Sequence, residues 1–268
     1  MLLQRRVASV IAVKWLGLFR MIANERQDPE TAALYNDKEA VDASGVPLPS
    51  LRVLQAAGAI SSTKVPKAHG GYRRMWPESE VLKASIAAAL SEHFAWNIRI
   101  AAAVMATVPE RLWQDLIMTA ALVAENDHVG APKKRFVQAS KIDWAVQVFD
   151  RKFVFLTIPN LMTATGPDAA PEQTERLLGI VGENTFHLLP WKLGNREWRK
   201  TAQRKHGEEA LDKAFQRYRW AMAARANFLS MATINISMQV RATWRRLHGL
   251  ESRFVQDVFQ IGKEDFEP

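Results

Sequence analysis

Side chains that bind phosphate cluster in one short stretch of the chain, "SSTKVPKAHGGYRRMW", residues 61–76. The stretch has no acidic residue, and its phosphate-binding candidates are four cations and one tyrosine: Lys64, Lys67, Tyr72, Arg73 and Arg74. Cationic and hydroxyl side chains donate hydrogen bonds to phosphate oxygens. The pair Gly70 and Gly71 favours a tight turn, because glycine enters the left-handed region without strain. The stretch therefore predicts a basic hairpin that presents these side chains to a phosphate backbone.

Other chemistries have no support in the sequence. It contains neither a Gly-x-Ser-x-Gly nucleophile elbow nor a phosphate-binding glycine-rich loop ending in Lys-Ser or Lys-Thr, and no two histidines have metal-ligand spacing beside an acid. There are no cysteines, which excludes disulfides and thiolate metal sites and is consistent with a reducing compartment. We therefore expect a cytoplasmic protein that is not an enzyme and has no catalytic residues, metal or cofactor.

The net charge is weaker support for an anionic partner than it first suggests. The formal charge is +8, but the first twenty residues carry four cations and no acid, which leaves +4 for the other 248 residues. Lys14 and Arg20 interrupt the first apolar run, so a membrane-spanning segment is not expected there, nor is a membrane partner. We interpret residues 1–34 as an extension or linker with a native start at Met21; a cleaved secretory signal is the alternative.

The residues around the basic stretch predict a series of short helices. Gly45 and Gly58 are placed to end the first two, prolines around Leu48 suit the first turn of the second, and Glu78 and Glu80 favour the start of the third through the helix dipole. The predicted helices of this half cover residues 38–44, 49–57, 77–90, 95–107 and 110–125. Turn formers and charges at residues 126–135 predict a domain boundary between residues 35–126 and 136–268.

The second half has a different pattern. "DWAVQVFDRKFVFLTI" and "RLLGIVGENTFHLLPW" alternate apolar with other residues around turns at 150–152 and 182–184, which predicts two hairpins in an antiparallel sheet of about four strands. Residues 208–247 predict one long helix that ends at Gly249, and apolar residues on all its sides between Phe228 and Val240 indicate burial nearly all round. We expect this helix to be a core element and a dimer interface. The predicted fold class is α+β.

Residues 35–107 resemble the DNA-binding domain of the MerR-type transcriptional regulators. The resemblance rests on matching letters in order: a short helix, a Gly-Val turn, a helix with Leu-Arg, a wing closing on Gly-Tyr-Arg, and a helix that opens with acidic residues. These letters correspond to Ala40, Gly45, Val46, Leu51, Arg52, Gly58, Ile60, Gly71, Tyr72, Arg73, Glu78, Glu80 and Val81. The resemblance implies a winged helix-turn-helix in which Arg52, Tyr72 and Arg73 contact the DNA backbone.

The function that the resemblance implies is sequence-specific binding of double-stranded DNA by a homodimer that regulates transcription. The candidate DNA-binding residues are Ser50, Arg52, Lys64, Lys67, Tyr72, Arg73 and Arg74, and residues 136–268 would dimerise or sense an effector. The chain departs from the family pattern at Pro49, where a base-reading residue is usual, and at "VLQ" (53–55), which lacks the usual aromatic contact. The alternatives are a protein-interaction or ligand-sensing protein whose winged domain is a docking module, and a recombination accessory protein.

Overall fold

A computed structural model of the protein describes residues 33–128, 143–160, 172–182, 186–188 and 207–250, together with positions 200, 203 and 204. The described part is a mixed structure of helices and antiparallel sheets, so the α+β prediction is confirmed. Residues 1–32 of the predicted extension and residues 129–135 of the predicted boundary lie outside the described residues.

The elements are numbered along the described chain. The helices are α1 (Asp37–Ser44), α2 (Leu48–Ala56), α3 (Glu78–Phe94), α4 (Ile98–Ala106), α5 (Glu110–His128), α6 (Glu208–Ala226) and α7 (Ile236–Leu247). The strands are β1 (Leu34–Tyr35), β2 (Thr63–Pro66), β3 (Tyr72–Pro77), β4 (Ala145–Phe149), β5 (Phe153–Asn160), β6 (Glu172–Val181), β7 (Phe186–Leu188) and β8 (Met231–Asn235).

Helices α1 and α2 are held by local caps. Asn36 begins α1 with a capping box, since its side chain accepts hydrogen bonds from the first-turn N–H groups while the Glu39 carboxylate accepts one from the Asn36 N–H at 2.8 Å. Gly45 ends α1 in the left-handed region with φ of 73°, and α2 follows after Pro47 with a second proline in its first turn. The two helices agree with the sequence prediction.

The predicted basic hairpin is present. Strands β2 and β3 pair antiparallel, and β1 adds a third strand along the other side of β3. At the tip, the Lys67 N–H donates to the Gly71 carbonyl at 3.0 Å, and Gly70 and Gly71 have φ of 86° and 76°. Two consecutive positive φ angles at the tip are the reason for the Gly-Gly pair.

The second sheet has five antiparallel strands in the order β7-β6-β5-β4-β8. The strand pairs of both predicted hairpins are found, β4-β5 and β6-β7, while residues 183–184 of the second predicted turn lie outside the described residues. The turn between β4 and β5 holds Asp150 and Arg151 at φ of 50° and 57°. Positive φ at both central residues is the geometry of a type I′ hairpin turn, and the Asp150 carboxylate in addition accepts the N–H groups of Leu229 and Ser230 at 2.9 and 3.0 Å. The turn is thereby tied to the segment that leads into β8.

The prediction of one long helix over residues 208–247 is wrong. The helix α6 ends at Ala226, β8 runs antiparallel to β4, and α7 starts after Asn235, whose side chain accepts the Met238 N–H at 2.9 Å. Apolar residues on every side of a helical projection are also what a strand followed by a helix produces, and periodicity alone does not separate the two. The predicted burial near Phe228 is wrong too, because Leu229 is 98% exposed.

One hydrophobic core joins the helices to the five-stranded sheet. A sheet face that includes Val146, Val154, Leu156 and Leu178 belongs to the same buried cluster as residues of α3, α4, α5 and α7. The other sheet face has a smaller cluster in which Ala221 of α6 meets aromatic side chains of β4 and β5. The core is therefore continuous across the predicted boundary between residues 35–126 and 136–268. No helix in the described ranges is long and apolar enough to cross a lipid bilayer.

A buried ion pair fixes α7 against the sheet. The Arg241 guanidinium donates two hydrogen bonds to the Asp143 carboxylate, at 2.7 and 2.9 Å, and both side chains are almost fully buried. Asn235 donates a third hydrogen bond to the same carboxylate at 2.6 Å. Because the two hydrogen bonds are parallel and shielded from water, they fix the orientation of α7 relative to the residues that lead into β4, as well as the distance between them.

Candidate nucleic-acid interface

The β2-β3 hairpin separates its cations between two faces. Successive strand residues point to opposite sides, and residues directly opposite one another across an antiparallel pair share a side. Lys64 is opposite Arg74 and Pro66 is opposite Tyr72, so Lys64, Tyr72 and Arg74 share one face. Arg73 is opposite Val65 on the other face. We call the first of these the Lys64–Arg74 face.

Lys64 and Arg74, which carry like charges, occupy directly opposed positions on the two strands. The Lys67 N–H to Gly71 carbonyl bond fixes the phase of the ladder, and alternation along the strands makes Lys64 and Arg74 a non-hydrogen-bonded pair. Such pairs have Cα atoms about 4.5 Å apart, the closer of the two spacings. Like charges directly opposite are destabilising, so the hairpin retains an arrangement that an anion between the two cations would relieve.

The exposure of these side chains fits contact with a large partner. Lys64 is exposed, and Tyr72 is 68% exposed although it is aromatic. Arg74 is half-buried, with its guanidinium 5.7 Å from the centre of the Trp76 ring. Stacking on Trp76 restricts the Arg74 side chain while its charge stays available.

Trp76 and Glu80 hold the hairpin to the helices. The Trp76 ring is buried and its Nε1–H donates to the Asp37 carboxylate of α1 at 2.7 Å. The Glu80 carboxylate of α3 accepts the Ser61 N–H at 2.7 Å, just before β2, and accepts from the buried Lys83 ammonium at 2.9 Å. The hairpin thus has a fixed position relative to α1 and α3.

Helix α2 presents a narrow, weakly polar outer face. Leu51 and Leu54 are buried, while Pro49, Arg52 and Ala56 are exposed at helical spacing on the opposite side. Arg52 is the single charged side chain of the helix. At the end of α2, the Gln55 amide donates to the Ser62 hydroxyl at 2.7 Å, which connects the helix to the start of the hairpin.

Ser50 lies apart from the other candidate residues. It is half-buried and lines a shallow cavity of about 330 Å³ together with Pro47, Ser91, Glu92 and Ile98. Residues two positions apart on a helix are separated by roughly 200° of rotation, so Ser50 and Arg52 point to different sides of α2. The structure does not bring Ser50 to the surface that Arg52 occupies.

The electrostatic environment of α2 and the hairpin is strongly cationic. From Leu48 to Trp76 the chain carries five arginines and lysines and no acid. Nearby acids are engaged: Glu80 is paired with Lys83, and the Glu78 carboxylate accepts the Tyr35 hydroxyl and lies 3.3 Å from the His248 ring. Burial, followed by the charge of Glu78, raises the pKa of Tyr35 to about 12, so Tyr35 stays protonated as a donor.

The structure therefore gathers some predicted residues and separates others. Lys64, Tyr72 and Arg74 share a face, Lys67 is exposed at the hairpin tip, Arg73 is on the opposite face, and Arg52 is on α2. Sequence reasoning missed the anchoring contacts of Glu80 and Trp76. The sequence indicates Glu80 as a favourable charge at a helix start and as one of the letters of the resemblance, and no local pattern indicates its contact with Ser61.

Comparisons with known proteins add no further constraint. The chain matches no family model, no curated protein and no solved structure. In the part of the chain that the structure describes, no three or more His, Asp or Glu side chains come together as metal ligands would. The interface is therefore judged on its own geometry.

Proposed function

We propose that residues 35–107 form a winged helix-turn-helix similar to that of the MerR-type regulators, and that the protein is a homodimeric, sequence-specific binder of double-stranded DNA that regulates transcription. The Lys64–Arg74 face is the observation that carries the proposal. Two cations facing each other at the shorter cross-strand spacing, beside an exposed tyrosine, are costly alone and favourable against phosphates.

In the proposed mechanism, α2 enters the major groove and the hairpin lies along the adjacent backbone. Arg52 and the Lys64–Arg74 face donate hydrogen bonds to phosphates and fix the register of the protein on the duplex. The exposed side chains of Pro49 and Ala56 have no hydrogen-bonding groups. Base discrimination by α2 would then depend on apolar contacts, such as those with thymine methyl groups, and on DNA shape.

A second candidate function rests on the same face of α2. Pro49 and Ala56 make it unusually apolar for a recognition helix, and such a surface would suit contact with another protein. In this alternative the winged unit is a docking module, and its cations are solvated surface charges. Salt dependence separates the two candidates, because phosphate contacts release counterions and protein docking through an apolar face does not.

The test is selection of duplex DNA by the full chain from a random-sequence library at near-physiological salt. We expect a recurring site for the native protein and loss of enrichment for Arg52→Ala/Tyr72→Ala. The charge-matched control for the arginine is Arg219→Ala, an exposed position on α6, which should select the same site as the native chain.

The hairpin faces give a second, internal control. Arg73 and Arg74 are neighbours of equal charge on opposite faces, so Arg74→Ala should weaken binding more than Arg73→Ala if the Lys64–Arg74 face contacts phosphates. Equal enrichment of random fragments by all variants would overturn sequence-specific binding. Binding that is insensitive to salt and to every one of these substitutions would favour the docking module.

A further inference from the structure

Strand β8 is the last strand at one edge of the five-stranded sheet that the described residues form. On its inner side it pairs with β4, and no described residue pairs with its outer side. Met231, Ala232 and Thr233 are exposed in succession, with Met231 half exposed. An exposed edge of this kind is a template for pairing with another strand.

The hydrogen-bond phase identifies which backbone groups are free. Asp150 N–H donates to the Ser230 carbonyl, and Ile236 N–H donates to the Trp144 carbonyl, so residues 230, 232, 234 and 236 point their backbone groups toward β4. The N–H and carbonyl groups of Met231 and Thr233 and the N–H of Asn235 therefore point away from β4, whereas the Asn235 carbonyl belongs to the N-cap of α7 and accepts the first hydrogen bond of that helix. These three positions are symmetric about Thr233.

The edge strand β2 of the small sheet and the edge strand β8 of the large sheet differ in their protection against pairing with other strands. The edge strand β2 contains Lys64 and Pro66, which are typical devices against edge pairing, whereas β8 reads Met-Ala-Thr-Ile-Asn with neither charge nor proline. A twofold axis through an antiparallel strand pair places the central residue opposite its own copy, so a charge at position 233 would meet a like charge. An uncharged strand whose outward N–H and carbonyl groups are centred on Thr233 is suited to pairing with itself.

The segment before β8 adds a rigid apolar projection. Leu229 is 98% exposed, yet its N–H and that of Ser230 are fixed by the Asp150 carboxylate. The Phe228 ring is anchored on Phe149, with ring centres 5.0 Å apart. Phe228, Leu229 and Met231 are all exposed large apolar side chains within four residues, and a continuous exposed apolar patch indicates a surface that another molecule covers.

From these observations we infer that β8 pairs antiparallel with β8 of a second copy of the chain, centred on Thr233. Each Thr233 N–H then donates to the carbonyl of the other Thr233, and Met231 faces Asn235 of the partner subunit. The axis runs perpendicular to the sheet, so the helix-covered faces of the two copies lie on the same side. This interface would form the homodimer of the proposed function. The pairing itself is independent of DNA, but its role in DNA binding rests on the proposed function.

The absence of cysteine in the chain allows a direct test of the pairing. Opposed residues of a hydrogen-bonded pair have Cα atoms about 5.5 Å apart, within the range that a disulfide spans. We expect Thr233→Cys to form a disulfide-linked dimer in good yield under mild oxidation. Gln216→Cys, an exposed position on α6, is the matched control and should remain unlinked.

Sedimentation of the full chain without DNA gives a second readout. Thr233→Glu opposes two carboxylates at the axis and should raise the dimer dissociation constant about tenfold or more, while Thr233→Val leaves it unchanged. Circular dichroism and thermal melting confirm that each variant folds. The pairing would be overturned if the native chain is monomeric at roughly tens of micromolar, about tenfold above a micromolar Kd. It would also be overturned if the dimer survives Thr233→Glu and position 233 forms no cross-link.

The two proposals fail separately. Loss of DNA binding in Lys64→Glu with an intact dimer supports both. A dimer that passes the cross-linking test but shows no salt-dependent DNA binding contradicts the proposed function and leaves the β8 pairing standing. DNA binding by a protein whose assembly does not respond to Thr233→Glu contradicts the pairing alone.

Discussion

Replacing Lys64 by glutamate should stabilise the fold and weaken DNA binding at the same time. Lys64 and Arg74 are directly opposite in a non-hydrogen-bonded pair. If the two charges lie as far apart as the Cβ atoms of opposed residues, about 5 Å, they interact by about 0.8 kcal/mol at the dielectric constant of water. Lys64→Glu converts this repulsion into attraction, and because Lys64 is exposed, solvent screening keeps the gain near the range of about 0.2–1 kcal/mol measured for cross-strand pairs.

The same substitution acts in the opposite direction on binding. It removes a cation from the proposed phosphate contacts and places a carboxylate beside the backbone. The slope of log Kobs against log salt is negative, and each lost phosphate contact reduces its magnitude by about 0.9. We expect a shallower slope and a lower affinity at every salt concentration, together with a urea midpoint that is unchanged or higher.

The assay combines fluorescence anisotropy with a labelled duplex over a series of salt concentrations and urea unfolding of the same samples. Arg219→Glu is the matched control, since it makes the same change of charge at an exposed site on α6, a helix that packs on the sheet face opposite the core cluster containing Trp76. A global charge effect would lower affinity equally in both variants. A specific effect would appear in Lys64→Glu and leave the slope for Arg219→Glu close to that of the native chain.

Two results would refute the reasoning in different ways. Equal affinities and slopes for Lys64→Glu and Arg219→Glu would show that the Lys64–Arg74 face does not contact phosphates. A clear loss of stability in Lys64→Glu would show that the two cations do not face each other as the strand register implies. A variant that is more stable and yet defective is hard to explain by damage to the fold.

Three further predictions concern the fold. Tyr35→Phe should be less stable than the native chain below about pH 10, and the difference should shrink up to about pH 12 in urea unfolding, because the native tyrosine retains its proton beside Glu78 while the unfolded one loses it. Arg241→Met leaves the Asp143 carboxylate buried without its cation and should cost about 3–5 kcal/mol by the same method, whereas Arg241→Met/Asp143→Leu should cost less than the single change. Asp150→Asn keeps the acceptor and should be near neutral, while Asp150→Ala should lose about 1–3 kcal/mol.

The sequence predicts the helices and hairpins best where a local rule decides the conformation. Gly45 ends α1 and the Gly70-Gly71 pair forms the hairpin tip, and both depend on a left-handed backbone that only the local residue type specifies. The hairpin faces were also predictable in principle. Once β3 is assigned as a strand, alternation separates Tyr72 from Arg73, although the family resemblance groups them as backbone contacts.

Elements that depend on distant partners were not predictable in this way. Residues 231–235 form a strand because β4 offers an edge, and α7 begins there because Asn235 supplies a cap. Neither fact is visible in the apolar pattern of residues 228–240, which a buried helix would satisfy equally well. The Asp143–Arg241 pair joins residues far apart in the chain, so no spacing rule indicates it.

Rigidity connects the proposed DNA-binding surface to the proposed dimer edge. Glu80 and Trp76 fix the hairpin to α1 and α3, the core cluster joins α3 to Ile234 of β8, and Glu78 at the start of α3 lies against His248 after α7. Packed cores have discrete arrangements and do not deform continuously. If both proposals hold, the distance between the two hairpins of a dimer is set by the fold rather than by a flexible linker. Selected DNA sites would then have half-sites at a single spacing. A range of spacings would require that the hairpin and β8 of one chain move independently, which contradicts the continuity of the core.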